Sequence, residues 1–204
     1  MLGWNDGSEK EIFSLEELIE SFSIERVHSG GAHFDYDKAK WFNHEWIKKL
    51  KVENLKLYVV EVLNEKGIAR IDDSILEKVI GLVKDRCILL TDFYEQSVFF
   101  FKTPEQIDTA SILPKWNEHK KQFFSELIRT YKFTTLWQAG ELENALKEIA
   151  AASQLKPGEL MLPLRIMLVG GKFGPGVFDI AEILGKDETI ARIEKTLSLL
   201  SNTK

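Results

Sequence analysis

Apolar residues recur at intervals of three and four along most of this chain, and the runs are punctuated by capping residues and glycines. That pattern restricts the chain to helices packed on helices. Ser14 and Glu17 have capping-box spacing, with Leu15, Leu18, Ile19 and Phe22 behind them as an apolar face. Ser29-Gly30-Gly31 breaks the chain, and Asp35 can then cap a helix carrying Ala39, Phe42, Trp46, Ile47 and Leu50 on one side. Leu55 to Leu63 is ambiguous: Val59, Val60 and Val62 favour a strand, whereas the turn from Asn64 to Gly67 suits a helix with a glycine end. Asp72 or Asp73 opens a run with Ile75, Leu76, Val79, Ile80 and Val83. Phe93 and Phe99 to Phe101 read as a seam between two helical layers, closed by a boundary at Lys102-Thr103-Pro104. Further helices are expected over 116–131, from 139 or 141 to 152, and over 160–169, where Gly170-Gly171 ends the run. After a second break at Gly174-Pro175-Gly176 come Val177 to Leu184 and Asp187 to Leu200, the last with Asp187 as cap and Ile190, Ile193, Leu197 and Leu200 as its stripe. Strands do not alternate with helices, so the expected fold is all-α, in two or three successive helical bundles.

The composition limits what such a fold can do. With 204 residues, 44% of them hydrophobic, the chain can bury one large core or two small ones. No apolar run reaches the roughly 18 residues of a membrane span. The opening MLGWNDGSEKEIF lacks the basic start and apolar centre of a signal peptide. One cysteine, Cys87, excludes an internal disulfide and a cysteine-based zinc site, and a reducing compartment such as the cytoplasm fits. With 27 basic and 32 acidic residues the net charge is −5, which argues against holding nucleic acid by bulk charge but leaves room for a few placed cations.

No catalytic constellation stands out. His28, His33, His44 and His119 lack metal-ligand spacing and read as loop or surface residues. Cys87 follows Arg86, whose charge would depress a thiol pKa, but a buried structural cysteine is the commoner case. The segment Val169 to Gly176, VGGKFGPG, is glycine-rich like a phosphate loop, yet Lys172 is followed by Phe173 rather than Ser or Thr, and the glycine spacing is wrong. Its plainer reading is a helix end and a tight turn. Arg165 lies inside the apolar run LPLRIML, where it either faces solvent or is held for a ligand; pattern alone favours solvent. Arg86 closes a helix, where a cation complements the dipole. Lys38, Lys40, Lys48, Lys49, Lys51 and Lys56 form a basic region that reads as a solvated face, or as an approach to a phosphate backbone.

Three blocks, in order, resemble the C-terminal half of bacterial glutamyl-tRNA synthetases, class I aminoacyl-tRNA synthetases. The opening LGWN with EIFSLEELIESFSIERV is similar to the segment after that family's catalytic core. FDYDKAKWFNHEWI, Phe34 to Ile47, matches the family pattern FDxxKLxWxNxxYI, with Ala39 in the leucine place and Trp46 in the tyrosine place. LPLRIMLVGGKFGPGVFDIAEILGKDETIARI, Leu162 to Ile193, is similar to the family's closing block PLRxALTG…PGLFExLxLLGKExxLxRI. The family's HIGH-type and KMSKS-type motifs have no counterpart here.

The resemblance implies a class I synthetase anticodon-binding fold of the helical-cage type. It divides the chain into the end of a stem-contacting region (1–50) and two anticodon-binding units (51–105 and 106–204). It implies tRNA(Glu) as partner, with no DNA, no membrane and a monomeric state. No cofactor is expected on this part; ATP and magnesium belong to the parent ligase, and the chain alone should be inactive. The family's anticodon-reading arginine falls on Arg165, and its anticodon-contacting loop falls on Gly174, Pro175 and Val177, with Gly174 replacing a threonine. By spacing from RCILLTDF, the arginine that separates cytosine from guanine at the last anticodon base falls on Arg86. The alternative is a helical protein-interaction module, docking a partner through Phe99-Phe100-Phe101 and the last helix.

Overall fold

Local capping signals place the first helices. Glu17 N–H donates to the Ser14 hydroxyl at 3.2 Å and Ser14 N–H donates to the Glu17 carboxylate at 2.8 Å, closing the capping box of α1 (Leu15–Ser21). Asp35 accepts the N–H groups of Asp37 and Lys38 and opens α2 (Tyr36–Lys49). The valine-rich segment is α3 (Val52–Glu65), because Leu55, Val59 and Leu63 fall on one buried stripe and that burial outweighs β-propensity. Gly67, at φ +75°, gives it a left-handed end, with Ile68 N–H donating to the Leu63 carbonyl at 2.9 Å. Asp72 caps α4 (Asp73–Val83) through Ser74 and Ile75 N–H. A computed structural model describes residues 3–202 except 29, 32 and 70, and ten α-helices lie among them. Leu2 of the opening block and Ser29 of the expected break therefore lie outside the described residues.

The chain continues through α5 (Asp92–Phe101), α6 (Glu118–Phe133), α7 (Ala139–Ala152), α8 (Gly158–Val169), α9 (Val177–Leu184) and α10 (Lys186–Asn202), joined by short loops and 3₁₀ turns. The expected all-α fold is what forms; the β-pairing among the described residues is one isolated bridge, Trp4 to Val27. Three local expectations change. Trp116 lies before α6, because the Asn117 side chain accepts Lys120 N–H at 2.9 Å and starts the helix there. Asp187 sits in the first turn of α10 rather than capping it, since Thr189 N–H already reaches the Gly185 carbonyl. The apolar stripe of α1 is covered only in part: Leu15 and Ile19 are exposed and Leu18 is half-buried, while the Phe22 ring packs at 5.8 Å against Trp4, which with Phe13 is buried in the N-terminal segment.

Two cores result. One gathers Ile47 of α2, the stripes of α3 and α4, Cys87 and Phe93; the other gathers α6 to α10. Helix α5 serves both, with Phe93 in the first, Phe99 in the second, and Phe100 against each. The phenylalanine run is thus an internal seam, and the docking role the interaction-module alternative asks of it is taken by the protein's own cores.

Helix α8 is buried on nearly all sides, through Leu160, Pro163, Leu164, Ile166, Met167 and Leu168. Its end needs a polar partner away from water. Buried Arg192 of α10 donates from Nη1 to the Leu168 carbonyl and from Nε to the Glu188 carboxylate at 2.7 Å, and Thr103 donates to the same carboxylate at 2.6 Å. Beyond it Gly170 turns the chain at φ +81°, and its carbonyl accepts Asp108 N–H at 2.9 Å. A Cβ at Gly170 would lie 2.6 Å from the Gln106 carbonyl oxygen and 2.9 Å from Pro104 Cβ. Gly170→Ala is therefore expected to destabilise the fold by about 1–3 kcal/mol. Urea unfolding with an unchanged midpoint would contradict this account of the turn.

Candidate nucleic-acid interface

Arg86 is the last residue of a 3₁₀ turn, Lys84–Arg86, that prolongs α4. The turn is fastened from α2. Asn43 donates its amide to the Ile88 carbonyl, and His44 donates from Nδ1 to the Cys87 carbonyl at 2.9 Å, a bond that fixes the proton on Nδ1. Lys84 reaches back to the carbonyls of Lys48 and Leu50 at 3.1 and 3.4 Å, closing the end of α2. On the far side, Asp92 accepts both Ile88 and Leu89 N–H at 2.9 Å. Lys84, Cys87, Ile88 and Leu89 are thus fastened, while Arg86 itself is exposed and makes no hydrogen bond or ion pair among the described residues. Asn43 is the asparagine of the FDYDKAKWFNHEWI block, and this bond is a physical reason for an amide there.

Cys87 shows which effect wins at the turn. Burial, reinforced by the Asp92 charge, pushes its thiol up to about 12, and the opposing pull of Arg86 is smaller. It is a core residue with its Sγ donating to the Val83 carbonyl at 3.4 Å.

Arg165 occupies a half-buried position on α8, between the buried Leu164 and Ile166. Its Nη1 donates to the Pro175 carbonyl. The loop can come this close because position 174 is glycine: at φ +153° a Cβ there would lie 3.2 Å from Arg165 Nη1 and 3.6 Å from Ile180 Cδ1. Gly174, Pro175 and Val177 are themselves buried, so they back the arginine rather than present side chains to solvent. Burial first, and then the positive charge of Arg86, lowers the Arg165 pKa. The second cause is informative: residues far apart in sequence, one from each bundle, stand close enough to repel. Helix α9, which follows the loop, lies across α4 and α5 and makes that approach possible.

The 170–176 loop does not form a phosphate cradle. Lys172 lies 3.9 Å from Asp108, and Gly174 and Pro175 are packed inward. Nothing in this loop fits ATP. No group of three or more His, Cys, Asp or Glu among the described residues could hold a metal, and no helix there is long and apolar enough to cross a membrane. Of the basic region, Lys40 and Lys48 lie near Asp37 and Glu45, Lys38 pairs with Glu11, and Lys56 pairs with Asp73 and Glu77. Two residues escaped the sequence reading. Arg192 carries no signal in the pattern of its helix beyond its place in the closing block. Phe173, at the loop tip, stands outside any apolar period and so belongs to no helix face, which was its one signal.

Residues 36–197 match the anticodon binding domain family. The chain belongs to that family. It is 38% identical to the glutamate–tRNA ligase of Flavobacterium johnsoniae over 200 residues, covering 98% of this chain and 40% of that protein. A crystal structure of a glutamate tRNA ligase from Elizabethkingia meningosepticum in complex with its amino acid superposes with a TM-score of 0.90 at 35% identity, over 98% of this chain and 39% of that one. The glutamate-tRNA synthetase of Elizabethkingia anophelis superposes with a TM-score of 0.83 at 34% identity, over 97% and 39%. The chain thus spans about 40% of the length of the curated relatives it matches. The resemblance drawn from the three sequence blocks holds over nearly the whole chain.

Because the Cys87 thiol stays neutral and buried, it is expected to resist an aromatic disulfide reagent at pH 8 until the chain unfolds. Fast labelling of the native protein would contradict the packing of the Arg86 turn. Above the ordinary thiol range the unfolded chain loses its proton first, so this group's contribution to stability is full below about pH 8.5 and declines as pH rises towards 12.

Proposed function

We propose that this chain is the anticodon-reading part of a glutamate–tRNA ligase and binds the anticodon stem and loop of tRNA(Glu). The observation that carries the reading is the anticodon-binding-domain fold, in which Arg165 is seated half-buried on the carbonyl of the following loop and Arg86 stands exposed on a braced turn. Two guanidinium groups that repel one another, with no carboxylate bonded to either, are complementary to a polyanion. A half-buried planar fork on a fixed backbone anchor suits base edges in a splayed single-stranded loop. A net charge of −5 is compatible with this, because such reading relies on placed contacts rather than bulk attraction.

Residues up to about 50 end the stem-contacting region, and 51–105 and 106–204 are the two anticodon-reading units. Arg165 contacts an anticodon base, with Gly174, Pro175 and Val177 shaping the loop it leans on. Arg86 distinguishes cytosine from guanine at the third anticodon position. Activation of glutamate, with ATP and magnesium, belongs to the remainder of such a ligase, which acts as a monomer in the cytoplasm.

The test is a salt titration of the chain binding tRNA(Glu), beside the same tRNA with its last anticodon base changed from cytosine to guanine. Binding is expected to fall with salt and to favour the cytosine form; equal weak binding to both would overturn anticodon reading. Arg165→Ala should weaken binding about tenfold with helicity intact. Arg86→Gln should narrow the cytosine preference, and Asn43→Ala should narrow it in the same direction by loosening the Arg86 turn. An unchanged ratio in both would remove Arg86 from that role.

A further inference from the structure

We propose that Phe173 is a stacking platform for an unpaired nucleobase of the RNA held by Arg86 and Arg165. The inference rests on the anticodon-reading function and adds a residue that the family blocks do not assign. Phe173 is 83% exposed at the tip of the loop between α8 and α9. A single exposed apolar ring is unremarkable by itself; its setting is what gives it a role. The loop is pinned on both sides of the ring, at Gly170 by Asp108 N–H and at Pro175 by the Arg165 guanidinium. The ring is therefore presented on a held backbone, which lowers the ordering cost of binding. It is two residues from Pro175, so its Cα lies within about 7.6 Å of the backbone that Arg165 grips.

Phe173 also forms one rim of a groove of about 710 Å³, whose apolar wall is Tyr94, Val98, Phe99 and Val169. Gln96 and Gln106 lie on the same groove and offer amide donors and acceptors, and Glu95, Lys102 and Glu105 line it as well. The Phe99 ring reaches 4.0 Å from the Cβ position of Gly174, so groove and arginine site share a wall. An apolar wall shared with the Arg165 site, with Lys102 on the groove, fits an aromatic group carried on a phosphate backbone, which is an unpaired nucleotide. A neutral apolar peptide would satisfy the ring but leave both cations unanswered.

The experiment measures dissociation constants and salt dependence for the unmodified chain and for Phe173→Ala, Phe173→Leu and Phe173→Trp against an unmodified tRNA(Glu) transcript, with Arg165→Ala alongside. Losing one base–aromatic stack is expected to weaken binding about tenfold in the alanine and leucine variants. Tryptophan should restore it. The salt slope should stay that of the unmodified chain in all three, since no cation is removed. Unchanged affinity in Phe173→Ala would overturn the proposal and leave the ring as a protein-docking feature. Equal rescue by leucine and tryptophan would overturn stacking in favour of simple apolar bulk. If the unmodified chain itself fails to bind, the anticodon-reading function falls and this inference with it, an outcome distinct from normal binding that ignores Phe173.

Discussion

A helix that ends inside a core leaves carbonyl groups that water cannot reach, and α8 is such a helix. Its faces are almost wholly buried, and the Leu168 carbonyl is satisfied by Arg192 from α10. The same guanidinium is held by Glu188, which Thr103 joins from the end of α5. Three segments are thereby tied at one point, and the left-handed turn at Gly170 starts from it. A charge this deep is tolerated because each of its partners is a hydrogen-bond acceptor in place. The position of the following loop, and of everything it carries, depends on that junction.

The loop in turn sets the geometry of the candidate interface. Gly174 admits the Arg165 guanidinium to the Pro175 carbonyl, so one donor of the fork is committed to positioning and the rest of the group stays available. Arg86 is treated in the opposite manner: the backbone just after it is bonded from α2 and Asp92, and its own side chain makes no hydrogen bond or ion pair among the described residues. The stability of each bundle is thus kept separate from the charge it offers to a ligand.

Much of the fold was legible in the sequence because capping and periodicity act over a few residues. Ser14 with Glu17, Asp35, Asp72 and the glycine ends at 67 and 170 all appear where the spacing puts them. The failures have physical causes of the same scale. Asn117 outcompetes Trp116 for the start of α6 because a side-chain acceptor is stronger than an apolar period, and the α1 stripe predicted burial that Trp4 supplies only to Phe22 at its end while Leu15 and Ile19 stay exposed. The candidate site was legible only residue by residue. Arg86 and Arg165 follow from the family pattern, whereas nothing local marks Arg192 as buried, and Phe173 belongs to no periodic face.

The sequence by itself determined the helices, their capped starts and most of their buried stripes, because those are set by backbone hydrogen bonding and side-chain spacing within a turn or two. Its net charge of −5 also argues against holding nucleic acid by bulk charge and leaves that work to locally placed cations. Only the tertiary structure decided that α5 would serve two cores, that α9 would lie across the first bundle, and that Arg165 would be anchored on the loop that carries an exposed ring. Those outcomes depend on which apolar faces cover one another, and that packing between residues distant in the chain leaves no periodic trace in the sequence.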